Sequence, residues 1–415
     1  MLQGRHPHSD VPGIYARHRP GMLRFPRFRT THWASLLVAA AALLWLGERP
    51  ARAYPQWQLS TGAVRCNQCH YAPAGGGLIN SYGRDAVGDE LSSFGGNGAF
   101  LHGAVSLPSW LALGGDFRGA VVDQDVQDPA GPTVAVFPMQ AEVQGRAALP
   151  AGLSVLASVG LRGQVRDPDL LVPYQNFQPV STSQLISPEH YLMWEPEAVG
   201  PYLRVGRFYA PYGLRMAEHI LYINRDLGYD EAEETYNVSG GFVYPNAELH
   251  LTAFAPDFVR HIGSDEKGFA AYMETRFHED TIALAGQMRL AIAPGVTKLM
   301  AGVVGKGYLE GLHTLLLGEV DVVNNVFTDL GDSSRTQIVG AAGFTVFPVR
   351  GVMFTALGEL NQVDVQVNND AYTAGTFLLN WFPYAHFELQ LMERVQFPSG
   401  GSAANTLFLQ IHYFL

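Results

Sequence analysis

The stretch Ala385-His386-Phe387-Glu388-Leu389-Gln390-Leu391-Met392-Glu393-Arg394-Val395-Gln396-Phe397 alternates in character along its length. Its odd positions are apolar apart from Glu393, and its even positions are polar apart from Met392. A period of two sends successive side chains to opposite faces of an extended chain, so this is a strand with one greasy and one polar face. The same pattern recurs at Leu249 to Ala255, against His250 and Thr252. It recurs again at Ile282, Leu284, Met288 and Leu290, against Gln287 and Arg289.

Working outward, about sixteen such segments can be laid along the chain from Val105 onward. They are expected near 109–122, 136–148, 153–165, 189–196, 199–208, 235–244, 247–256, 268–278, 281–291, 297–308, 312–327, 335–347, 351–365, 371–383, 385–397 and 405–415. The gaps between them alternate. Leu149-Pro150-Ala151-Gly152, Pro245-Asn246, His278-Glu279-Asp280 and Pro348-Val349-Arg350 are short, whereas 166–188, 209–234, 257–267 and 398–404 are long. Short turns at one end and longer loops at the other characterise transmembrane β-barrels. The expected fold is therefore all-β: an antiparallel transmembrane barrel of about 16 strands, preceded by a short separate segment. A β-propeller would show a repeat of about 40–50 residues, and none is visible; a soluble sandwich is the other competitor. Aromatics near strand ends, among them Phe137, Trp194, Tyr209, Phe347, Trp381, Phe382, Tyr384, Phe397, Tyr413 and Phe414, fit an interfacial girdle. The chain ends on strand-like Leu407–Leu415 with no tail.

On the inward faces of these strands would lie Glu142, Gln144, Arg146, Glu274, Arg276, Gln287, Arg289, Glu388, Gln390 and Arg394. A wet lumen explains polarity at every second position, and the mixture of signs implies no strong ion selectivity. The long stretch Arg207 to Tyr229 is rich in Arg and aromatics and lacks alternation. It either folds into the lumen as a constriction or stays at the surface.

Composition agrees. Of 415 residues, 47% are hydrophobic and 16% charged, which excludes disorder as the main state. The net charge of −11 argues against a nucleic-acid partner. The one long apolar run, Trp33 to Leu46, is too short for a helix that needs about 20 residues to span a bilayer. Arg24, Arg27 and Arg29 precede it and Ala51-Arg52-Ala53 follows, so residues 1–53 read as a secretory signal peptide, with Met22 offering a second start. An uncleaved anchor is the alternative. The chain then divides into 1–53 signal, 54–104 cofactor-binding segment and 105–415 barrel.

The two cysteines of the chain are Cys66 and Cys69, and His70 follows directly. C-x-x-C-H is the attachment signature of c-type haem. Two thioethers reach the two vinyl groups of one porphyrin, and the adjacent imidazole lies under the iron. A thioredoxin-like pair would need a βαβ setting, a zinc site a second ligand pair, and a disulfide across two residues is geometrically poor. The expectation is one covalent haem c, held by Cys66 and Cys69 with His70 as axial iron ligand. Arg65 and Arg84 are the nearest cations for its propionates. Pro73, Gly75-Gly76-Gly77, Asn80 and Tyr82-Gly83-Arg84 either let backbone approach the flat cofactor or form a linker. The segment holds no Met. The sixth iron position therefore falls to His102, to a residue of the barrel, or stays open.

Together, Cys66-Asn67-Gln68-Cys69-His70, the triple Gly, Tyr82-Gly83-Arg84 and the Arg207–Tyr229 loop resemble a group of bacterial outer-membrane proteins that join one haem c site to a porin-like barrel. The resemblance implies iron bound as haem and electron transport at the outer membrane, with the haem on the periplasmic side. It implies redox partner cytochromes in the periplasm or outer membrane, and barrel strands facing membrane lipid. The alternative is a diffusion channel in which the haem is structural or sensing. No acid–base cluster marks the chain as an enzyme.

Overall fold

The computed structural model describes residues 55–60, 62–125, 133–162, 184–230, 233–258, 265–328, 331, 333–368, 370–399 and 401–415. The expected signal peptide, and Phe137 as a girdle side chain, lie outside what is described. Among the described residues the strands are β1 Leu111–Asp125, β2 Thr133–Ala148, β3 Leu153–Arg162, β4 Gln184–Ile186, β5 His190–Trp194, β6 Gly200–Phe208, β7 Thr235–Val243, β8 Ala247–Ala255, β9 Lys267–Phe277, β10 Ile282–Ala293, β11 Val296–Leu309, β12 Thr314–Phe327, β13 Ser333–Val349, β14 Val352–Gln362, β15 Ala371–Trp381, β16 Phe387–Pro398 and β17 Ala404–Phe414.

Apart from β4 and β5, each strand pairs antiparallel with its neighbours in sequence. The sheet closes where β1 meets β17, from Asp116 opposite Phe414 to Asp125 opposite Asn405. Both β4 and β5 pair with β3 and together fill one place in the wall, so the ring has 16 positions. The break falls at Ser187-Pro188-Glu189. Pro188 has no N–H to donate, and Ser158 bridges the gap: its hydroxyl accepts from Glu189 N at 2.9 Å, while its own N–H donates to Glu189 O at 2.7 Å. A bulge between Arg118 and Gly119 on β1 coincides with Pro138 on β2, again where a ladder donor is missing.

Closure leaves no edge strand, and period two then divides inside from outside. Val143, Leu251, Leu409 and Ile411 face outward and are exposed, while their neighbours Glu142, His250, Gln410 and His412 are buried. No helix among the described residues is long enough to cross a bilayer; strands make the crossing. The girdle is only partly as expected. Trp194, Trp381, Tyr384 and Phe397 are exposed, but Phe382 and Phe414 turn inward and pack with Trp57, Val87, Leu91 and Met353.

The interior departs more from expectation. Glu274, Arg276 and Glu388 are at most 2% exposed. The inward polar face is covered by protein from two sides. Residues 55–104 enter at the short-turn end. The loop after β6 folds in from the other end and carries a short helix α1, Tyr222–Arg225. Leu59 and Val64 of the segment share one apolar cluster with Tyr212, Leu214, Met216 and Leu221 of the loop.

Candidate functional site

Cys66 begins a single 3-10 turn, Cys66–Gln68, and the backbone of Cys69 and of His70 donates to Cys66 O at 3.2 and 3.0 Å. That turn holds both sulfurs and the imidazole close together. Asn80 fixes it. Its amide donates to the carbonyls of Asn67, Gln68 and His70 at 3.2, 3.0 and 3.3 Å, and its oxygen accepts from Gly83 N at 3.0 Å, capping helix α2, Ser81–Ala86. Gly83 is needed here, because a Cβ would lie 2.4 Å from Ile79 Cγ2 and 2.5 Å from Cys69 O.

The triple glycine is a wrap in this structure. Gly75, Gly76 and Gly77 all have left-handed φ, of 80°, 79° and 59°, a conformation that side chains disfavour. A Cβ on Gly75 would sit 3.1 Å from Cys66 Cβ and 3.9 Å from His70 Cδ2. Gly75 thus packs against the motif, while a Cβ on Gly77 would run into the Glu189 carboxylate.

The segment is anchored to the barrel on all sides. Asn67 donates to Ala198 O at 2.6 Å, and Ser93 N to Phe382 O at 2.8 Å. Gln58 bridges Glu274, at 3.0 Å, and Lys306, at 2.6 Å. Arg276 lies 2.5 Å from Glu248 and 3.0 Å from Glu274. These wall residues are three positions or fewer from the short-turn ends of β8, β9 and β11, about 10 Å along a strand. The motif therefore sits inside the mouth of the barrel.

Cys66, Cys69, His70 and Gly75–Gly77 all line one cavity of about 320 Å³ in the lumen. Its far side is the infolded loop, Tyr209 to Ala217 with His219, Ile223 and Asn224. Burial pushes the Cys66 thiol up from its ordinary pKa.

Inward polar residues hold the loop in place. Tyr212 donates to Asp321 at 2.6 Å, Gly213 N to Gln287 at 2.7 Å, Leu214 N to Glu319 at 2.7 Å and Tyr222 N to Glu359 at 2.9 Å. Arg394 pairs with Glu359 through two bonds of 3.0 Å. Arg215 donates to Ala74 O, tying the loop directly to the glycine wrap.

Arg65 lines the cavity. The structure does not bring Arg84 there. Its guanidinium is buried against the carbonyls of Leu113 and Ile79, which pins the segment to β1. Nor does it bring His102 to His70. His102 sits at the rim with Nε2 3.1 Å from the Tyr413 hydroxyl, its ring edge-on to His386 at 4.7 Å. Nearness in sequence misled at both positions. Arg118, Arg204, Arg215 and Lys306 also line the cavity. No local signal marks them, since closure of the sheet is what brings them to the motif.

No protein-family model matches the sequence, and no curated protein matches it. Solved structures match the fold. An outer-membrane-expressed OmpT of Vibrio cholerae superposes with TM-score 0.55 at 10% identity, covering 75% of this chain and 100% of that one. The outer membrane channel DcaP of Acinetobacter baumannii gives 0.51 at 11%, covering 74% and 97%. An anion-selective porin from Comamonas acidovorans gives 0.51 at 9%, covering 74% and 99%. The chain has the fold of the outer-membrane porins, a closed antiparallel barrel of 16 strand positions.

Proposed function

We propose that this chain is an outer-membrane barrel carrying one covalent haem c in the short-turn mouth of its lumen, where it takes part in electron transfer. The observation that supports this reading is the cavity: both cysteines, the adjacent His70 and the left-handed glycine wrap line one space in the lumen. Two thiols and an imidazole on one turn are the donor set that haem c requires, so the residues present fit the group. When bound, the haem supplies a one-electron couple. The chain's own residues do the rest. Asn80 and Gly83 hold the turn, Arg65 and Arg215 set positive charge beside the cavity, and the loop and segment cover the polar interior. In barrels of this kind short turns face the periplasm, so on this reading the haem is held on the periplasmic side. A single haem near one mouth cannot by itself span a hydrocarbon core of about 30 Å, so a periplasmic or outer-membrane redox cytochrome is the partner this reading requires.

Purified protein heated in detergent should keep its haem on a denaturing gel and weigh one haem more than the mature chain. Replacing Cys66 and Cys69 with Ala should abolish both effects. Haem that leaves on denaturation would sink the proposal.

The second reading, a diffusion channel with the haem as a clip or sensor, draws on the likeness to barrels named as channels and porins. Single-channel conductance of the same preparation separates the two. A covered lumen predicts steps far smaller than those of an open porin.

A further inference from the structure

Leu91 of the N-terminal segment is 1% exposed and packs inside the barrel with Phe382 and Phe414. Three residues later, Phe94 is 68% exposed. Between them the chain passes over the rim of the barrel, across the β13–β14 and β15–β16 turns, and hydrogen bonds hold each step. Ser92 Oγ donates back to Gly88 O at 2.9 Å, and Arg350 Nε donates to Ser92 O at 2.7 Å. Ser93 N donates to Phe382 O at 2.8 Å, Phe94 N to Pro383 O at 3.0 Å, and Ala385 N to Gly95 O at 3.3 Å. Gly351 makes room for this stretch, since a Cβ there would collide with Ser93.

Trp381 fixes the direction. Along β15, Phe377, Leu379 and Trp381 are exposed, while Leu378, Asn380 and Phe382 between them are buried. An apolar outward row of this kind faces lipid, and here it runs to the last residue of the strand. The Trp381 indole donates to Ser93 Oγ at 3.1 Å, so at Ser93 the segment has reached the outer face of the wall. Phe94 comes next. Its ring lies 5.4 Å from that of Tyr384, which is 58% exposed in the β15–β16 turn. Phe94, Trp381 and Tyr384 thus make one aromatic patch, continuous with the lipid-facing wall and placed at its short-turn edge. Aromatic side chains at that level sit in the membrane–water interface.

We propose that Phe94 is seated in the phospholipid interface, so that the segment carrying the cysteine turn grips the bilayer as well as the lumen. Leu91 holds the segment from inside the wall and Phe94 from outside it, with the two short turns clasped between. The proposal does not depend on haem being bound.

Photocrosslinking tests it. Phe94 is replaced by p-benzoylphenylalanine in the full chain, and the purified protein is irradiated in vesicles of phosphatidylethanolamine and phosphatidylglycerol. The same probe at Leu379, on the outward face of β15, serves as the lipid-facing reference. The expected result is a phospholipid adduct on the peptide containing position 94, at a yield comparable with that at position 379. An adduct at 379 with none at 94 overturns the proposal. So does a crosslinked dimer in place of the lipid adduct, which would give the patch to a second copy of the chain. Should the probe protein fail to fold, judged by its heat-modifiable mobility, Phe94→Trp decides instead. The emission it adds to that of the unmodified protein should be quenched by phospholipid brominated on its acyl chains and spared by aqueous iodide. Quenching by iodide alone, or by neither, overturns the proposal.

Discussion

Asn80 does four jobs with one short side chain: it caps α2 and satisfies three carbonyls of the cysteine turn. Its contribution should therefore exceed that of a lone cap. Asn80→Ala is expected to cost about 1–2 kcal/mol and to lower the fraction of chains carrying haem, measured by thermal unfolding and haem-to-protein ratio. Gly83→Ala should do at least as much harm, because the added carbon overlaps Ile79 and the Cys69 carbonyl; overpacking of this kind costs about 1–3 kcal/mol. Wild-type stability and haem content in both variants would show that the turn needs neither residue. His386 offers a test by pH. It is buried at the short-turn rim, where its Nε2 lies 3.2 Å from Ala99 O. Burial, and then the adjacent His102, lower its pKa below the ordinary 6.5. A base lowered in this way contributes stability above its ordinary pKa and loses it as pH falls below that value. The melting midpoint in detergent should therefore drop below about pH 6.5, and less steeply in His386→Gln.

Single strands obey the alternation, but the two faces answer to different surroundings. On β16, Leu389 faces outward, and Leu389→Arg should cost about 2–4 kcal/mol if it lies near the bilayer midplane. Reading the sequence alone, one would let Gln390 accept any polar replacement, as a residue facing water. The structure corrects this. Gln390 is 6% exposed and donates to Glu218 of the infolded loop at 3.1 Å. Gln390→Leu should therefore loosen the loop and lower stability by about 1–2 kcal/mol, and urea unfolding of the folded barrel in detergent would measure it. No change at position 390 would mean that the loop is not seated there in solution.

For the molecule as a whole, the consequence is a barrel filled from both ends. Excising residues 212–228 and joining the ends with a short Gly-Ser linker should raise single-channel conductance several-fold while the haem remains covalently attached. Conductance that is already porin-like in the intact chain would favour the diffusion-channel reading.

Local physics was legible from the start. Period two follows from strand geometry, turns declare themselves through Pro, Gly and Asn, and C-x-x-C-H compresses its chemistry into five residues. Hence fifteen of the strand positions fall close to the expected segments, and the sixteenth differs only where Pro188 interrupts β4 and β5. What fills the lumen was not legible. A polar inward residue looks the same in sequence whether it faces water, as expected of Glu274 and Arg394, or packed protein, as found: the N-terminal segment for Glu274 and the infolded loop for Arg394. The barrel partner of the cysteine turn, Ala198, lies more than a hundred residues away in the turn between β5 and β6, brought near only when the sheet closes. For that reason proximity in sequence pointed to His102 and Arg84, and only the closed barrel set Arg215 beside the motif.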